Sequence, residues 1–248
     1  MCGRYVMARA VGDLLAAFDA ELENEIVIPP SWNVAPTTDV PILLERLVDG
    51  SVARQLHIAR WGLVPSWAKD PGIGPRMINA RSESVLEKPS FRKAVRSRRC
   101  AVPADGYYEW KTEGRSKQPY YVHPRDGSPI VFAGLYEWWQ DPAKAEGDPE
   151  RWLLSTSILT TDAPPDGYAG GTLAELTALH DRVPIPMDQS TLAAWLDPRD
   201  DDAAALVDLV RAGAHDVAET WTIDAVGTAV GNVKNNAPEL LIPVAGLF

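Results

Sequence analysis

The sequence predicts a mixed α+β fold in a single domain over residues 1–248. Three observations lead to this prediction: strand-like segments outnumber helical ones, the two types do not alternate regularly, and no repeat or linker divides the chain. Regular alternation would have indicated a doubly wound parallel sheet instead. With 46% hydrophobic and 23% charged residues, the composition excludes a disordered or fibrous protein.

Local patterns predict the elements in chain order. Apolar residues recur on one side of a helix over residues 12–20. Asp49-Gly50 between two apolar runs predicts a hairpin of residues 40–45 and 52–58. Pro89, placed at a first helical turn, predicts a short basic helix. Further strands are predicted over 107–111, 120–123, 130–136, 152–160 and 220–223. Helices are predicted over 188–196 and 201–212, the second of them capped by Asp200–Asp202, and a surface loop over 141–150.

Charge is distributed unevenly along the chain. Acidic residues outnumber basic ones by 34 to 24, which excludes a uniformly cationic nucleic-acid binder. Residues 76–125 nevertheless hold twelve Lys and Arg against five Asp and Glu. This basic stretch is either a solvated helix face or a groove that binds phosphates.

Several protein classes are excluded by what the sequence lacks. Two cysteines and four dispersed histidines are too few for a cysteine-rich zinc site or a disulfide framework, so we expect no metal and no cofactor. No apolar run approaches the ~20 residues that span a bilayer. Asp13 and Asp19 interrupt the one candidate secretory segment. We therefore expect a cytoplasmic monomer with reduced thiols and no membrane partner.

Cys2 carries the first candidate chemistry. Removal of Met1 would leave an α-amine and a thiol on one residue, with reference pKa values of ~7.7–8.0 and ~8.5. Such an amine condenses with an aldehyde to an imine, and the thiol then closes a five-membered thiazolidine. The alternative is that Cys2 is an inert small residue near a chain end.

Three other features each have two interpretations. Glu109 stands among the aromatic residues of segment 107–110. It is either a desolvated general acid or base, or an exposed acid on a strand. His180 lies in the polar segment 180–184, either as a residue that takes part in chemistry or as a structural histidine. Trp61 and Trp67 flank a Gly/Pro-rich turn, where an exposed indole would stack on single-stranded nucleic acid and a buried one would fill the core.

An ordered set of short strings covers the chain from residue 2 to about residue 243. They include Cys2-Gly3-Arg4-Tyr5, Asn79-Ala80-Arg81-Ser82-Glu83 and His180-Asp181-Arg182-Val183-Pro184, with others at 32–37, 61–67, 99–100, 103–110, 133–135, 160–163 and 232–243. Together they resemble the SOS-response-associated peptidase (SRAP) family, the abasic-site processing proteins. The family usually has Met where Val183 stands here, a conservative change.

The resemblance implies a single SRAP domain, a compact α+β fold around a curved, barrel-like sheet of mixed and antiparallel strands with flanking helices. It also implies binding of single-stranded DNA that contains abasic sites. The mature N-terminal Cys2 would form a covalent thiazolidine crosslink with the ring-opened sugar and protect the lesion from strand breakage. Abasic-site lyase activity and autoproteolytic removal of Met1 are further implied activities, and the protein would associate with the nucleoid when bound to damaged DNA.

The motif matches also imply roles for individual residues. The catalytic residues would be Cys2 as nucleophile, Asn79 orienting the sugar or amine, Glu109 in ring opening and proton transfer, and His180 as proton shuttle. The DNA-binding residues would be Arg4, Arg81 and Arg182 on phosphates, Trp67 and Met77 lining or stacking on the DNA, and Asn33 and Pro36 lining the same cleft.

Two other classes of function stay open. A cysteine-type peptidase would use Cys2 with His180 and Glu109, whereas a non-catalytic single-stranded nucleic-acid-binding module would need none of the three. A denaturing gel with abasic DNA separates the classes. A covalent band supports the crosslinking activity, casein cleavage supports the peptidase, and a reversible shift alone supports the binding module.

Overall fold

The structure is a computed structural model that describes residues 2–22, 27–114, 116–165 and 170–244. The strands in these ranges are β1 (Tyr5–Met7), β2 (Glu21–Leu22), β3 (Ser31–Val34), β4 (Asp39–Val48), β5 (Ser51–Trp61), β6 (Asn79–Arg81), β7 (Arg99–Ala104), β8 (Gly106–Glu113), β9 (Ser116–Pro124), β10 (Ile130–Gln140), β11 (Trp152–Asp162), β12 (Arg182–Pro184) and β13 (Trp221–Ala225). The α-helices are α1 (Val11–Phe18), α2 (Ala94–Ser97), α3 (Gly171–Leu179), α4 (Gln189–Leu196) and α5 (Ala203–Ala218). Short 3-10 helices span Pro71–Arg76, Ser82–Ser84, Thr228–Gly231 and Pro238–Leu241.

A closed barrel forms the centre of the molecule. Its strands follow the order β11-β10-β7-β4-β5, and parallel pairing of Ser155 with Arg60 and of Thr156 with Trp61 joins β5 back to β11. The other neighbours in the ring pair antiparallel. Closure leaves no open edge within the ring. The α+β class and the barrel-like sheet expected from the sequence are confirmed.

A second sheet packs against the barrel and carries the start of the described chain. Its order is β13-β9-β8-β1-β3, so that β1 is an interior strand. One buried cluster runs through both sheets. Within it the Tyr5 ring meets the Trp61 ring edge-on at 5.1 Å, and Tyr107 contacts the rings of Phe132 and Trp221 in the same way. These aromatic contacts fix how the second sheet sits on the barrel.

Most of the elements predicted from local patterns are present. The Asp49-Gly50 hairpin is confirmed, with both turn residues at positive φ, and it extends over β4 and β5. The cap before α5 is confirmed for Asp202, whose side chain accepts from the Ala205 amide at 3.1 Å. The predicted loop 141–150 is a series of turns at the surface. The basic helix is shorter than expected, because only Ala94–Ser97 are α-helical.

The basic stretch is divided between solvent and the interior. Lys88, Arg92, Lys93 and Arg96 are exposed. In contrast, Arg99 is buried and donates to the main-chain oxygens of Arg96, Trp195, Asp197 and Asp200 at 2.7–2.8 Å. The solvated-face interpretation therefore fits part of the stretch, while Arg99 ties β7 to the turn between α4 and α5.

None of the helices in the described part of the chain is both long and apolar enough to cross a membrane. In the same residues, no group of three or more His, Cys, Asp or Glu side chains is placed to hold a metal ion.

We predict that Arg99→Ala lowers the free energy of unfolding by about 3 kcal/mol, because the buried carbonyls of the α4–α5 turn lose their donor. Arg96→Ala is the matched control, since its exposed side chain predicts a change within about 0.5 kcal/mol. Urea unfolding followed by tryptophan fluorescence measures both. Equal stability of the two variants would contradict the structural role of Arg99.

Candidate active site

Cys2 lies three residues before β1 and is fully buried. β1 pairs with β3 on one side and with β8 on the other, where Tyr5 stands opposite Val34 and Tyr107. Pairing on both sides satisfies the backbone of β1 and prevents the fraying usual near a chain end. The strand therefore holds the predicted nucleophile inside the protein.

Asn79 fixes the main chain of Cys2. Parallel pairing of β6 with β11 places Asn79 opposite Ile158, and its Nδ2 donates to the Cys2 carbonyl oxygen at 2.7 Å. The Asn79 Oδ1 atom is buried and accepts no hydrogen bond from any described residue. Because a buried acceptor without a donor is costly, this oxygen indicates a place for a donor on a ligand.

Glu109 is the buried carboxylate of the site, with 6% of its surface exposed. It lies on β8, opposite Tyr120 of β9, and its Oε1 accepts from the Trp110 amide at 3.3 Å. Strand alternation puts Tyr107, Glu109 and Lys111 on the same face of β8. Of the two interpretations open for Glu109, its burial favours the desolvated one over an exposed acid.

The thiol of Cys2 is held in its protonated form. Burial raises the pKa of the Cys2 thiol far above its usual range, and the negative charge of Glu109 raises it further. Burial also raises the pKa values of the neighbouring Tyr5 and Tyr107 hydroxyls, and the proximity of Cys2 raises them further. The structure thus brings together Cys2, Asn79 and Glu109, which we call the cysteine cluster.

Arg4 leads from the cysteine cluster toward the surface. Its Nη1 donates to the Asn33 Oδ1 at 2.8 Å and to the Val230 oxygen at 3.0 Å. Its guanidinium carbon lies 5.7 Å from the centre of the Trp110 ring, a cation–π contact. The Arg4 Nε atom is buried without a partner among the described residues. Arg4 is therefore fixed in place by its Nη1 bonds and the Trp110 ring, and its contact with a phosphate stays a prediction.

Asn33 has a supporting position rather than an open one. It is buried, and its Nδ2 lies within 2.7–3.3 Å of the main-chain oxygens of Val230, Asn232 and Asn235. The neighbouring Trp32 amide donates to the Asn236 Oδ1 at 2.7 Å. These bonds attach the exposed loop 230–236 to β3. The structure thus favours a role for Asn33 in positioning this loop and Arg4 over direct contact with DNA.

His180 ends α3 and is half-buried. Its Nδ1 lies 3.0 Å from the Arg182 amide and 2.7 Å from the Asp181 Oδ1. These contacts exclude each other, because Nδ1 accepts from the amide only when unprotonated and donates to the carboxylate only when protonated. The hydrogen bond and ion pair described for His180 are with Arg182 and Asp181. Its predicted shuttle role stays a prediction.

Arg182 is the most buried of the predicted phosphate ligands, with 5% of its surface exposed. Its guanidinium forms a forked pair with both oxygens of Glu83, at 3.0 and 2.8 Å, and also contacts Asp162. Burial alone would raise the pKa of Glu83, but the hydrogen bonds and charge of Arg182 outweigh burial and lower it. An Arg committed to two carboxylates is poorly placed to hold a phosphate, so its contribution as a DNA ligand stays a prediction.

The remaining predicted DNA ligands lie nearer the surface. Trp67 is 56% exposed, and its Nε1 donates to the main-chain oxygen of Pro89, the residue after Lys88, at 3.4 Å. Trp61 is fully buried, so of the two interpretations open for it, filling the core is the one that applies. Arg81 is exposed two positions after Asn79, on the same side of β6. Met77 and Pro36 are half-buried, and contact of either with DNA stays a prediction.

Sequence reasoning missed several supporting residues. The sequence motifs include Trp110 and Glu83, but no local pattern indicates that Trp110 packs against Arg4 or that Glu83 pairs with Arg182. Loop 230–236 is separated from Asn33 by about two hundred positions, so only the fold brings them together. The three aromatic residues around Glu109, at positions 107, 108 and 110, were the sequence signal for a buried acid on this strand.

The fold and the cysteine cluster define a single-chain α+β protein whose candidate chemistry centres on a buried cysteine beside the start of the chain. The sequence model of the family described as SOS response associated peptidase (SRAP) matches residues 1–233 of the chain. The chain belongs to this family.

Relatives support the same assignment over nearly the full length. The chain is 37% identical over 243 residues to the abasic site processing protein YoqW of Bacillus subtilis, covering 97% of this chain and 99% of the relative. It is 30% identical over 250 residues to the abasic site processing protein YedK of Escherichia coli, covering 98% and 100%. A crystal structure of a Bacteroides thetaiotaomicron protein has the same fold, with a TM-score of 0.79 at 23% identity over 98% of this chain and all of that one.

We predict that Asn33→Ala loosens loop 230–236 and that amide hydrogen exchange there becomes about ten to a hundred times faster, because three carbonyls lose their shared donor. Asn232→Ala is the control, because the Asn232 side chain accepts from the Lys234 amide inside the loop and, among the described residues, forms no hydrogen bond with β3. Hydrogen exchange of peptides covering residues 226–240 measures both. Unchanged exchange in Asn33→Ala would show that the loop is held by other contacts.

Proposed function

We propose that this protein processes abasic sites in single-stranded DNA by joining Cys2 covalently to the ring-opened sugar. The observation that carries the proposal is the cysteine cluster: a fully buried Cys2 held through its carbonyl by Asn79, with the Glu109 carboxylate close enough to act on its thiol. Relatives along the whole chain are named abasic site processing proteins, which supports the same activity.

The first step opens the sugar. In the closed hemiacetal, the C1′ hydroxyl loses its proton while the ring oxygen gains one, and the C1′–O4′ bond breaks to leave an aldehyde. Glu109 is the group suited to accept and return this proton, because a buried carboxylate next to the reacting atoms works in both directions. Asn79 Oδ1 provides an acceptor for a sugar hydroxyl.

The second step joins protein and DNA. Once Met1 has been removed, the α-amine of Cys2 adds to the aldehyde carbon, and loss of water gives an imine. Asn79 holds the adjoining carbonyl of Cys2, so that the amine cannot swing away from the cluster. Fixed placement of both reactants supplies much of the rate advantage that such condensations gain in enzymes.

The third step closes the ring. The Cys2 sulfur bonds to the imine carbon, the C=N bond becomes single, and the thiol proton is transferred to the nitrogen, giving a thiazolidine. Burial and the charge of Glu109 raise the pKa of the thiol, which disfavours attack by a thiolate and favours the amine as the first nucleophile. Closure also removes the imine whose electron withdrawal drives β-elimination, so the crosslink protects the strand from breakage.

The surface around the cluster suits a single strand of DNA. Trp67 is exposed and its indole donates to Pro89, the residue after Lys88, and Arg81 is exposed on the strand that carries Asn79. Aromatic rings next to cations bind single strands by stacking and phosphate contacts. The net charge of −10 confines attraction for DNA to this basic face.

A peptidase mechanism is less well supported. Cysteine proteases attack with a thiolate kept ionised by a neighbouring histidine. Here the Cys2 thiol is held neutral, and the described contacts of His180 are with Asp181 and Arg182.

We predict that the wild type forms a heat-stable adduct with abasic single-stranded DNA on a denaturing gel. Cys2→Ser keeps the amine but cannot close the thiazolidine, so its adduct should appear only when cyanoborohydride reduces the imine. Cys100→Ser is the control, because this second buried thiol lies in the barrel, and it should crosslink as the wild type does. A heat-stable adduct from Cys2→Ser without reductant would refute the mechanism, as would intact-mass data that show Met1 retained in a crosslinking sample.

We predict that Glu109→Gln slows crosslinking by about 10²-fold or more, since the amide cannot exchange protons. DNA binding should be unchanged, because Gln has the same shape. Single-turnover rates between pH 6 and 9 and anisotropy of labelled DNA measure the two effects. Glu137→Gln, at another buried glutamate, is the control and should react at the wild-type rate. A wild-type rate for Glu109→Gln would remove Glu109 from the chemistry.

A further inference from the structure

A cleft of about 240 Å³ lies between α3 and the strands β8, β9 and β13. Small or apolar residues form most of its walls, among them Tyr120, Ala174, Ala178, Leu179 and Ile223, and Lys111 is a cation in the lining. Nothing in the chemistry proposed above uses this space.

The cleft adjoins the cysteine cluster. Tyr120 stands directly opposite Glu109 across the β8–β9 pair, and Lys111 is the next residue on the same face of β8. On the other wall, Leu179 immediately precedes His180. A strand of DNA whose abasic sugar reaches Glu109 therefore has its neighbouring nucleotide within reach of the cleft.

The shape and polarity of the cleft suit a flat heterocycle. Ala174 and Ala178 are one helical turn apart on α3, and their short side chains leave a slot instead of a filled interface. Tyr120 and Ile223 contribute apolar lining, and Lys111 and Glu175 are the charged residues of the lining. Nucleobases have an apolar face and an edge that carries both donors and acceptors.

We infer that this cleft receives the nucleobase next to the abasic site, a binding subsite that rests on the proposed function. A base beside a missing base has lost a stacking partner on one side, so turning it out of the strand costs less than in intact DNA. Seating that base would hold the abasic sugar at Glu109 and would add selectivity for a lesion inside a strand.

The test measures equilibrium binding, so that it does not depend on crosslinking. Oligonucleotides carry a tetrahydrofuran lesion, which has no aldehyde, with the base on its 5′ or 3′ side kept or replaced by a baseless spacer. Fluorescence anisotropy gives the affinities. For the wild type, removal of the base on one side should weaken binding about tenfold, the scale of one lost base-stacking contact, and removal on the other side should change it little.

Variants locate the effect. Ala178→Trp fills the slot from an exposed helix position, so it should weaken binding to the fully based oligonucleotide about tenfold and abolish the effect of the spacer. Ala178→Leu is a milder variant that should reduce both effects, and circular dichroism checks the fold of each. Ala204→Trp, at an exposed position of α5, is the control and should behave as the wild type does.

The possible outcomes separate the two proposals. Equal binding of wild type to all oligonucleotides, or an undiminished spacer effect in Ala178→Trp, overturns the subsite. A parallel gel with true abasic DNA tests the crosslink by itself. Failure of that gel with a positive spacer effect would refute the crosslink and leave the base-binding cleft established.

Discussion

Pairing of β1 on both of its edges is the constraint on which the candidate site depends. Residues near the start of a chain usually gain little from folding, because few contacts hold them. Here β3 and β8 enclose β1, and the Tyr5 ring packs on Trp61 of the barrel. Cys2 is consequently as well buried as any residue of the core, although it lies one position from the first residue of the sequence.

Burial then decides which chemistry the cysteine can perform. Exposed near a cationic group, a thiol ionises and attacks directly. Beside Glu109 and two buried tyrosines, the pKa of the Cys2 thiol is raised and the thiol keeps its proton. For the proposed crosslink, such an environment favours capture of the aldehyde by nitrogen before ring closure by sulfur.

The sequence predicted long elements and residue chemistry better than it predicted contacts. The hairpin at Asp49-Gly50 and helices such as α5 follow from strong local patterns. β1, β3 and β6 contain only three or four residues each, too few to show a period, and they exist because the barrel and its neighbours pair with them. The same reasoning explains the site: the acid at Glu109 was visible, but the bonds of Asn33 to loop 230–236 and of Arg182 to Glu83 depend on distant segments.

The order of strands along the chain has a consequence during protein synthesis. β8, which covers one edge of β1, begins at Gly106, and β11, which closes the barrel and supports β6, ends only at Asp162. A growing chain cannot bury its first residues until these later segments have left the ribosome. Throughout that interval Cys2 is exposed to solvent and to enzymes that act on nascent chains, and it becomes inaccessible only when the fold encloses it.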